Sequence, residues 1–121
     1  GESYKENIKG KTFSVLKKQI KDSIEKKFNL NKIIIAYEPV WSIGTGKIPA
    51  ANELRQIFNL IKTYFKKNFR KKKLPIVLYG GSVNNKNIKI FSQISEIDGF
   101  LVGNASRSAK KFIDIIKKYY K

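Results

Sequence analysis

A glutamate ends an apolar run in the stretch A-Y-E-P-V-W-S-I-G-T-G-K, residues 36–47, and a loop with proline, tryptophan and two glycines follows it. A carboxylate at the end of a buried strand is suited to general-base catalysis if a loop closes over it and excludes water. The proline and tryptophan would stiffen one end of that loop, and the glycines would let the other end move. The stretch therefore predicts a hinged lid over Glu38. The alternative is an ordinary solvated glutamate at a strand end.

Three glycine-bearing loops follow three consecutive apolar runs, at Gly44–Gly46, Gly80–Ser82 and Gly103. Glycine lets a backbone N–H approach an anion without a Cβ in the way, and converging N–H groups form an anion site. We expect a positive φ at Gly103. The predicted anion is phosphate, because the loops after the last strands of a (β/α)8 barrel commonly bind it. The alternative is that these glycines are only turn residues.

The established phosphate and nucleophile motifs do not fit these loops. A Walker A loop needs glycine where Trp41 stands and serine or threonine where Ile48 stands. A nucleophile elbow around Ser82 needs glycine where Asn84 stands, and the sequence has no histidine to activate the hydroxyl. The dinucleotide pattern fails because Pro49 occupies the place of its third glycine.

Composition narrows the possible classes of protein. The 121 residues are enough for one domain, and the absence of cysteine excludes disulfides, a thiolate nucleophile and a zinc–sulfur site. No apolar run is long enough to cross a membrane, so we expect a cytoplasmic protein. The net charge of +17 leaves open a basic nucleic-acid-binding or interaction module. Lysine supplies nearly all of it, whereas arginine is the better reader of bases, so we expect no nucleic-acid partner.

Two hydrophobic periods alternate along the chain, which predicts an α/β protein with parallel strands buried on both faces. Helical spacing covers residues 12–28, 52–69, 84–93 and 108–120, and β-branched apolar runs cover 32–38, 74–80 and 98–103. Asn52 is expected to cap the second helix. The lysine-rich segment Arg70–Lys73 is expected to be a solvated helix end.

These motifs resemble those of the triosephosphate isomerase family. Residues 36–47 are similar to its sixth strand and lid, 79–83 (Y-G-G-S-V) to its seventh strand and loop, and 98–106 (D-G-F-L-V-G-N-A-S) to its eighth. Residues 1–12 resemble the end of the fifth strand and the start of the fifth helix. The resemblance implies a partial barrel domain over residues 1–121, the C-terminal half of a (β/α)8 TIM barrel with the helix-5 region and strand–helix units 6, 7 and 8.

The resemblance also implies an activity and its site residues. The family interconverts dihydroxyacetone phosphate and D-glyceraldehyde 3-phosphate in glycolysis and gluconeogenesis, as a cytoplasmic homodimer without a cofactor or metal. Glu38 matches the catalytic base, which transfers a proton through an enediolate. The phosphate-binding N–H groups match Gly44, Ser82, Gly103 and Asn104. Asn104 stands where the family often has a second glycine, and its N–H can still donate.

The family's lid and latch can also be matched residue by residue. The matching positions are Pro39, Trp41, Gly46 and Lys47 in the lid, Tyr79 as the hydroxyl that latches it, and Glu2 as the acid that pairs with the lid tryptophan. Ser42 replaces a usual alanine, and we expect this exchange to have no effect. Residues 47–50 (K-I-P-A) differ from the family's threonine-rich lid end, which predicts a stiffer second hinge.

Two of the family's functional residues have no match. Its electrophilic histidine and its substrate-binding lysine lie on earlier strands, and this sequence contains no histidine. The missing earlier strands and the absence of methionine therefore indicate a fragment that is catalytically incomplete by itself. Three parallel strands with two open edges also predict that the chain does not remain monomeric.

Overall fold

A computed structural model describes residues 1–69 and 73–121, and within them the chain is an α/β structure. Residues 70–72, and with them most of the predicted solvated helix end, lie outside the described residues. The helices are α1 (Tyr4–Ile8), α2 (Thr12–Ser23), α3 (Ala51–Asn68), α4 (Ile88–Phe91) and α5 (Ala109–Tyr119). The strands are β1 (Ile34–Tyr37), β2 (Ile76–Tyr79) and β3 (Gly99–Phe100), and short 3-10 turns span Leu30–Lys32 and Asn104–Arg107.

The three strands form one parallel sheet, as the alternation of periods predicted, and their order in the sheet is β1-β2-β3. Ile34 lies opposite Ile76 at one end of the first pair, and Tyr37 lies opposite Tyr79 at the other. Tyr79 in turn lies opposite Phe100 of β3. Because parallel strands end at the same edge of a sheet, the loops after all three strands lie side by side.

The hydrophobic core lies between one face of the sheet and the helices. The predicted apolar face of α3 is confirmed, and its buried residues are Leu54, Ile57, Phe58, Ile61 and Phe65. Val77 and Tyr79 of β2 are fully buried. The ring of Tyr79 lies 4.9 Å from that of Phe91 in α4, so aromatic contacts join the strands to the helices.

The opposite face of the sheet is open. Ile34 is 62% exposed, Ile76 50% and Leu101 46%, and these side chains lie on the face that the described helices do not cover. The expectation of strands buried on both faces is therefore wrong for this part of the chain. The apolar side of α5 is also only partly covered, since Ile115 is buried whereas Phe112 and Ile116 remain exposed.

Some predicted boundaries are wrong for local reasons. Helix α2 ends at Ser23, because Ile24 has an extended backbone. Asn52 does not cap α3: the helix begins one residue earlier, after Ala50, and the Asn52 side chain instead accepts a hydrogen bond from Arg55.

Helix α1 was not predicted, although its sequence carries a start signal. The Ser3 hydroxyl accepts a hydrogen bond from the backbone N–H of Glu6, and the Glu6 carboxylate accepts one from the Ser3 N–H. This reciprocal capping box satisfies two N–H groups that a helix start leaves without partners. The spacing Ser-x-x-Glu in residues 3–6 is its signature.

Strand β3 is held to β2 by a side chain as well as by backbone hydrogen bonds. Asp98 Oδ2 accepts a hydrogen bond from the buried N–H of Val77 at 2.8 Å, and Asp98 Oδ1 lies 2.8 Å from Lys62 Nζ. The Asp98 N–H donates to the Val77 carbonyl at 3.1 Å. The carboxylate thus extends the ladder one step before the strand begins.

Replacing Asp98 by alanine is expected to lower the free energy of unfolding by about 1–3 kcal/mol, because the Val77 N–H loses its acceptor inside the protein. Replacing Lys62 by alanine is the control and should cost less than about 1 kcal/mol, because that ion pair is partly exposed. Urea denaturation of both variants measures the difference. Equal losses would assign the effect to the ion pair and not to the Val77 hydrogen bond.

Candidate active site

A cleft of about 610 Å³ lies at the edge of the sheet where the strands end. Its lining includes seven residues that the sequence singled out: Glu38, Gly44, Gly46, Gly80, Ser82, Gly103 and Asn104. The structure therefore brings the predicted carboxylate and the three predicted loops together. Lys86 and Lys111 also line the cleft. No motif marked these two lysines, because they belong to a sequence in which lysine is frequent.

Glu38 lies at the end of β1 and is partly buried. Its carboxylate makes no hydrogen bond or ion pair with residues 1–69 or 73–121, so it is available to the cleft. The side chain lies against the backbone of Gly80: a Cβ on Gly80 would be 2.8 Å from Glu38 Cγ and 2.9 Å from Oε1. Glycine is needed there because any larger residue would displace the carboxylate.

The predicted lid, residues 39–49, is held down on the loop after β2. Gly44 and Gly46 have φ angles of +69° and +79°, which are left-handed conformations that glycine adopts without strain. The Gly46 N–H donates to Ser82 Oγ at 3.1 Å, and that hydroxyl donates to the Ser42 carbonyl. One serine hydroxyl thus connects two parts of the lid to the neighbouring loop.

Ser82 is the one non-glycine residue in the described chain with a positive φ, +46°. Its carbonyl accepts hydrogen bonds from the side-chain amides of Asn84 at 3.0 Å and Asn87 at 2.9 Å. Together with the two bonds of its hydroxyl, these contacts hold a conformation that a serine rarely adopts. The backbone of this loop is therefore fixed before any ligand arrives.

Four backbone N–H groups at the cleft have no acceptor within residues 1–69 and 73–121. They belong to Gly44, Ser82, Gly103 and Asn104, which come from all three loops. Unpaired N–H groups that line one cleft can converge on an anion. The geometry suits a ligand with several negatively charged oxygens.

Gly103 does not have the expected positive φ. Its φ is −85°, because its carbonyl begins the 3-10 turn that follows. That carbonyl accepts the Ser106 N–H at 2.9 Å and the Ser106 hydroxyl at 2.6 Å. Nothing lies within 4 Å of a Cβ built on Gly103, so the space beside it is open.

Glu2 is a fully buried carboxylate at the base of the lid. It accepts hydrogen bonds from the Tyr37 hydroxyl at 3.1 and 3.2 Å, from Trp41 Nε1 at 3.0 Å and from the Asn7 amide at 3.2 Å. Its backbone carbonyl also accepts the Val40 N–H at 3.0 Å. The Trp41 contact agrees with the pairing that the resemblance implied. The roles of Tyr37 and Asn7 were missed, because neither stands in a recognisable motif.

Two tyrosines, Tyr79 and Tyr4, make further contacts with the lid. The Tyr79 hydroxyl lies 3.3 Å from Ser42 Oγ. On the outer side, Lys47 Nζ lies 5.4 Å from the centre of the Tyr4 ring, and the Trp41 ring meets the same tyrosine edge-on at 6.3 Å. Tyr4 therefore contacts both ends of the lid through its aromatic ring.

Pro39 is buried at the start of the lid, and its carbonyl accepts the Ser42 N–H at 2.9 Å. This tight turn follows Glu38 directly. The lid therefore leaves the strand in a fixed direction.

Burial makes two tyrosine hydroxyls poor acids. Burial raises the pKa of Tyr37, and the adjacent Glu2 carboxylate raises it further. Burial also raises the pKa of Tyr79 to about 12, although its hydrogen bond with Ser42 acts in the opposite direction. Both groups therefore stay protonated at neutral pH and can donate hydrogen bonds.

Residues 1–69 and 73–121 contain no cluster of three or more acidic, histidine or cysteine side chains that could hold a metal ion. Across the same residues, no helix has the length and apolar character to span a membrane.

Comparison with known proteins identifies the family that these features belong to. The family model described as triosephosphate isomerase matches residues 1–119. The triosephosphate isomerase of Mycoplasmopsis pulmonis is 44% identical over 116 residues, which cover 96% of this chain and 44% of that protein. That of Yarrowia lipolytica is 42% identical over 117 residues, covering 96% and 47%. The resemblance drawn from the motifs is confirmed.

The fold agrees with the same family. The crystal structure of triosephosphate isomerase from Bartonella henselae superposes with a TM-score of 0.86 at 30% sequence identity. The superposition covers 100% of this chain and 48% of that chain. The chain thus spans about half the length of the curated relatives and of the solved structure that it matches.

The two buried tyrosines predict how stability depends on alkaline pH. An unfolded chain releases tyrosine protons at about pH 10, before the folded chain does, so unfolding becomes easier above that pH. The contribution of Tyr79 is complete below about pH 10 and is lost as the pH rises toward about 12. Urea midpoints measured over this range should fall less steeply for Tyr79→Phe and for Tyr37→Phe than for the parent. Parallel curves would contradict the prediction.

Proposed function

The chain belongs to the triosephosphate isomerase family, and we propose that it supplies the base, lid and phosphate-binding loops of an enzyme that interconverts dihydroxyacetone phosphate and D-glyceraldehyde 3-phosphate. The observation that carries the proposal is the cleft that joins the free Glu38 carboxylate to unpaired N–H groups from three loops. The family match favours this function over the alternative of a basic nucleic-acid-binding module.

Glu38 is the proposed catalytic base. It removes a proton from the carbon beside the substrate carbonyl, which leaves an enediolate, and it returns a proton to the neighbouring carbon. The absence of any partner within the described residues leaves its oxygens free for this transfer, and the close approach to Gly80 limits where the side chain can lie on that side. A base must be positioned within about 1 Å to be effective, so this packing is part of the proposed mechanism.

The substrate phosphate is proposed to bind the N–H groups of Gly44, Ser82, Gly103 and Asn104. Several backbone donors aimed at one group stabilise an anion without the cost of ordering long side chains. The hydrogen bonds of Ser82 hold its N–H in place in advance. Lys86 and Lys111 add positive charge at the cleft edge.

The lid is proposed to cover the bound substrate and exclude water. Its start is anchored at Trp41 by Glu2, and Pro39 sets its direction, while Gly46 and Lys47 lie at its other end. Exclusion of water strengthens every hydrogen bond to the phosphate and protects a reactive enediolate.

The electrophile that polarises the substrate carbonyl is proposed to come from residues outside these 121, since this sequence contains no histidine. The open sheet face with Ile34, Ile76 and Leu101 is where further strands of a closed barrel would pack. We propose that residues 1–121 form a partial barrel domain and that the complete enzyme is a homodimer. We also propose that this enzyme acts in glycolysis and gluconeogenesis in the cytoplasm and needs no cofactor.

Shortening Glu38 to aspartate in the full-length protein tests the proposed base. The carboxylate retreats by one methylene, so we expect turnover to fall about 100-fold while phosphate-ligand affinity changes little. Turnover is followed by uptake of solvent deuterium into dihydroxyacetone phosphate, which reports the proton transfer itself. The exposed Glu25 is the matched control, and Glu25→Asp should keep full activity. Full turnover in Glu38→Asp would remove this residue from the proposed role.

A pair of glycine substitutions tests the phosphate loops. Gly103→Ala places a methyl group in open space beside two proposed donors, so we expect affinity for inorganic phosphate to fall about tenfold. Its stability is measured as well, so that a loss of affinity can be separated from a loss of folding.

Gly10→Ala is the control for the effect of a glycine substitution on stability alone. Gly10 has a φ of +66° and lies between α1 and α2, so a Cβ should cost about 1 kcal/mol of stability. Its affinity for phosphate should equal that of the parent. Calorimetry and urea denaturation measure both quantities, and equal phosphate affinity of Gly103→Ala and the parent would rule out the three-loop site.

A further inference from the structure

Ser42 is fully buried inside the lid, and its hydroxyl lies where three parts of the chain meet. The hydroxyl donates to the carbonyl of Lys47 at 2.5 Å, which joins the start of the lid to its end. Because that bond uses the only hydroxyl proton of Ser42, the Tyr79 hydroxyl at 3.3 Å is the donor in the second contact. The result is a continuous chain of hydrogen bonds from β2 through Ser42 to Lys47.

The backbone of Ser42 belongs to the same set of contacts. Its N–H donates to the Pro39 carbonyl at 2.9 Å, and its carbonyl accepts the hydroxyl of Ser82. Every polar atom of this serine is therefore paired, and each pairing joins the lid to itself, to β2 or to the loop after β2. A residue that only filled space would not need a hydroxyl at this position.

We propose that the Ser42 hydroxyl is a positioning group that clamps the lid against β2 and so holds it ready over the phosphate-binding loops. The inference rests on the proposed function for its consequence in catalysis, whereas the clamp itself is a property of the fold. For a ligand that binds only when the lid is closed, the apparent dissociation constant equals the intrinsic dissociation constant divided by the fraction of molecules with a closed lid. Loss of the clamp lowers that fraction and weakens binding without touching the phosphate donors.

The clamp is tested by hydrogen exchange in the full-length protein. The amides of Gly46 and Lys47 depend on the lid being held down, since they donate to Ser82 Oγ and Thr45 Oγ1. In Ser42→Ala we expect both amides to exchange about fivefold faster, the equilibrium effect of one side-chain hydrogen bond. The Val40 amide, which is bound to the Glu2 carbonyl, should not change.

Two further variants separate the hydrogen bonds from the volume of the side chain. Cysteine has nearly the size of serine but is a weak donor, so Ser42→Cys should behave like Ser42→Ala. Tyr79→Phe should give a smaller increase, and Ser42→Ala combined with Tyr79→Phe should match Ser42→Ala alone, since both break the same contact. Ser14→Ala is the matched control, because that exposed hydroxyl also donates to a carbonyl, of Lys11, away from the lid.

The consequence for the active site is read from the affinity for glycerol 3-phosphate. We expect it to fall about fivefold in Ser42→Ala and in Ser42→Cys and to remain at the parent value in Ser14→Ala. Unchanged exchange of Gly46 and Lys47, or full recovery in Ser42→Cys, would overturn the clamp. Faster exchange with unchanged affinity would overturn its role in binding. If the parent does not bind glycerol 3-phosphate, the proposed function fails, and the exchange rates still decide whether the clamp exists.

Discussion

The buried carboxylate of Glu2 is the constraint on which the site depends. An ionised carboxylate costs several kcal/mol to bury unless hydrogen bonds replace its water. Here neutral donors from three segments supply them: Asn7 from α1, Tyr37 from β1 and Trp41 from the lid. Moving any of the three segments away would remove a hydrogen bond from this buried carboxylate. The start of the lid is thereby tied to the strand that carries Glu38.

The site combines parts that are saturated with hydrogen bonds and parts that have none. The hydroxyls of Ser42 and Ser82, and most of their backbone polar atoms, form hydrogen bonds within the protein. By contrast, the Glu38 carboxylate and the N–H groups of Gly44 and Gly103 have no partner in the described chain. Such a division is what a preorganised site requires, because the fixed groups carry the cost of order and the free groups keep their capacity for a ligand.

The sequence was sufficient to predict the α/β class, the alternation of helices and strands along the chain, and the grouping of Glu38 with three glycine loops. These features follow from local patterns: apolar periods, and glycines directly after apolar runs. The open face of β1 and β2 could not be predicted, because Ile34 and Ile76 have the same residue types as buried strand residues. Their exposure depends on which layers cover the sheet, and no local pattern records that.

Other details depend on contacts between residues distant in sequence. The negative φ of Gly103 follows from the turn that Ser106 closes, and the contacts of Ser42 follow from its position beside Tyr79. The family resemblance marked Ser42 only as an exchange of alanine for serine. Its hydrogen bonds became visible once the lid and β2 were placed together. The capping box of Ser3 and Glu6, however, was present in the sequence and was overlooked.

The carboxylate of Asp98 has a consequence for strand registration. A slip of β3 by one residue would reverse which side chains face the core, but a slip by two residues would preserve that alternation. Backbone pairing and side-chain burial alone discriminate weakly against a two-residue slip. Such a slip would carry Gly103 and its N–H about 6–7 Å along β2. Only the native register places Asp98 beside the Val77 N–H and Lys62. This one side chain therefore selects the register that sets the position of Gly103 in the cleft.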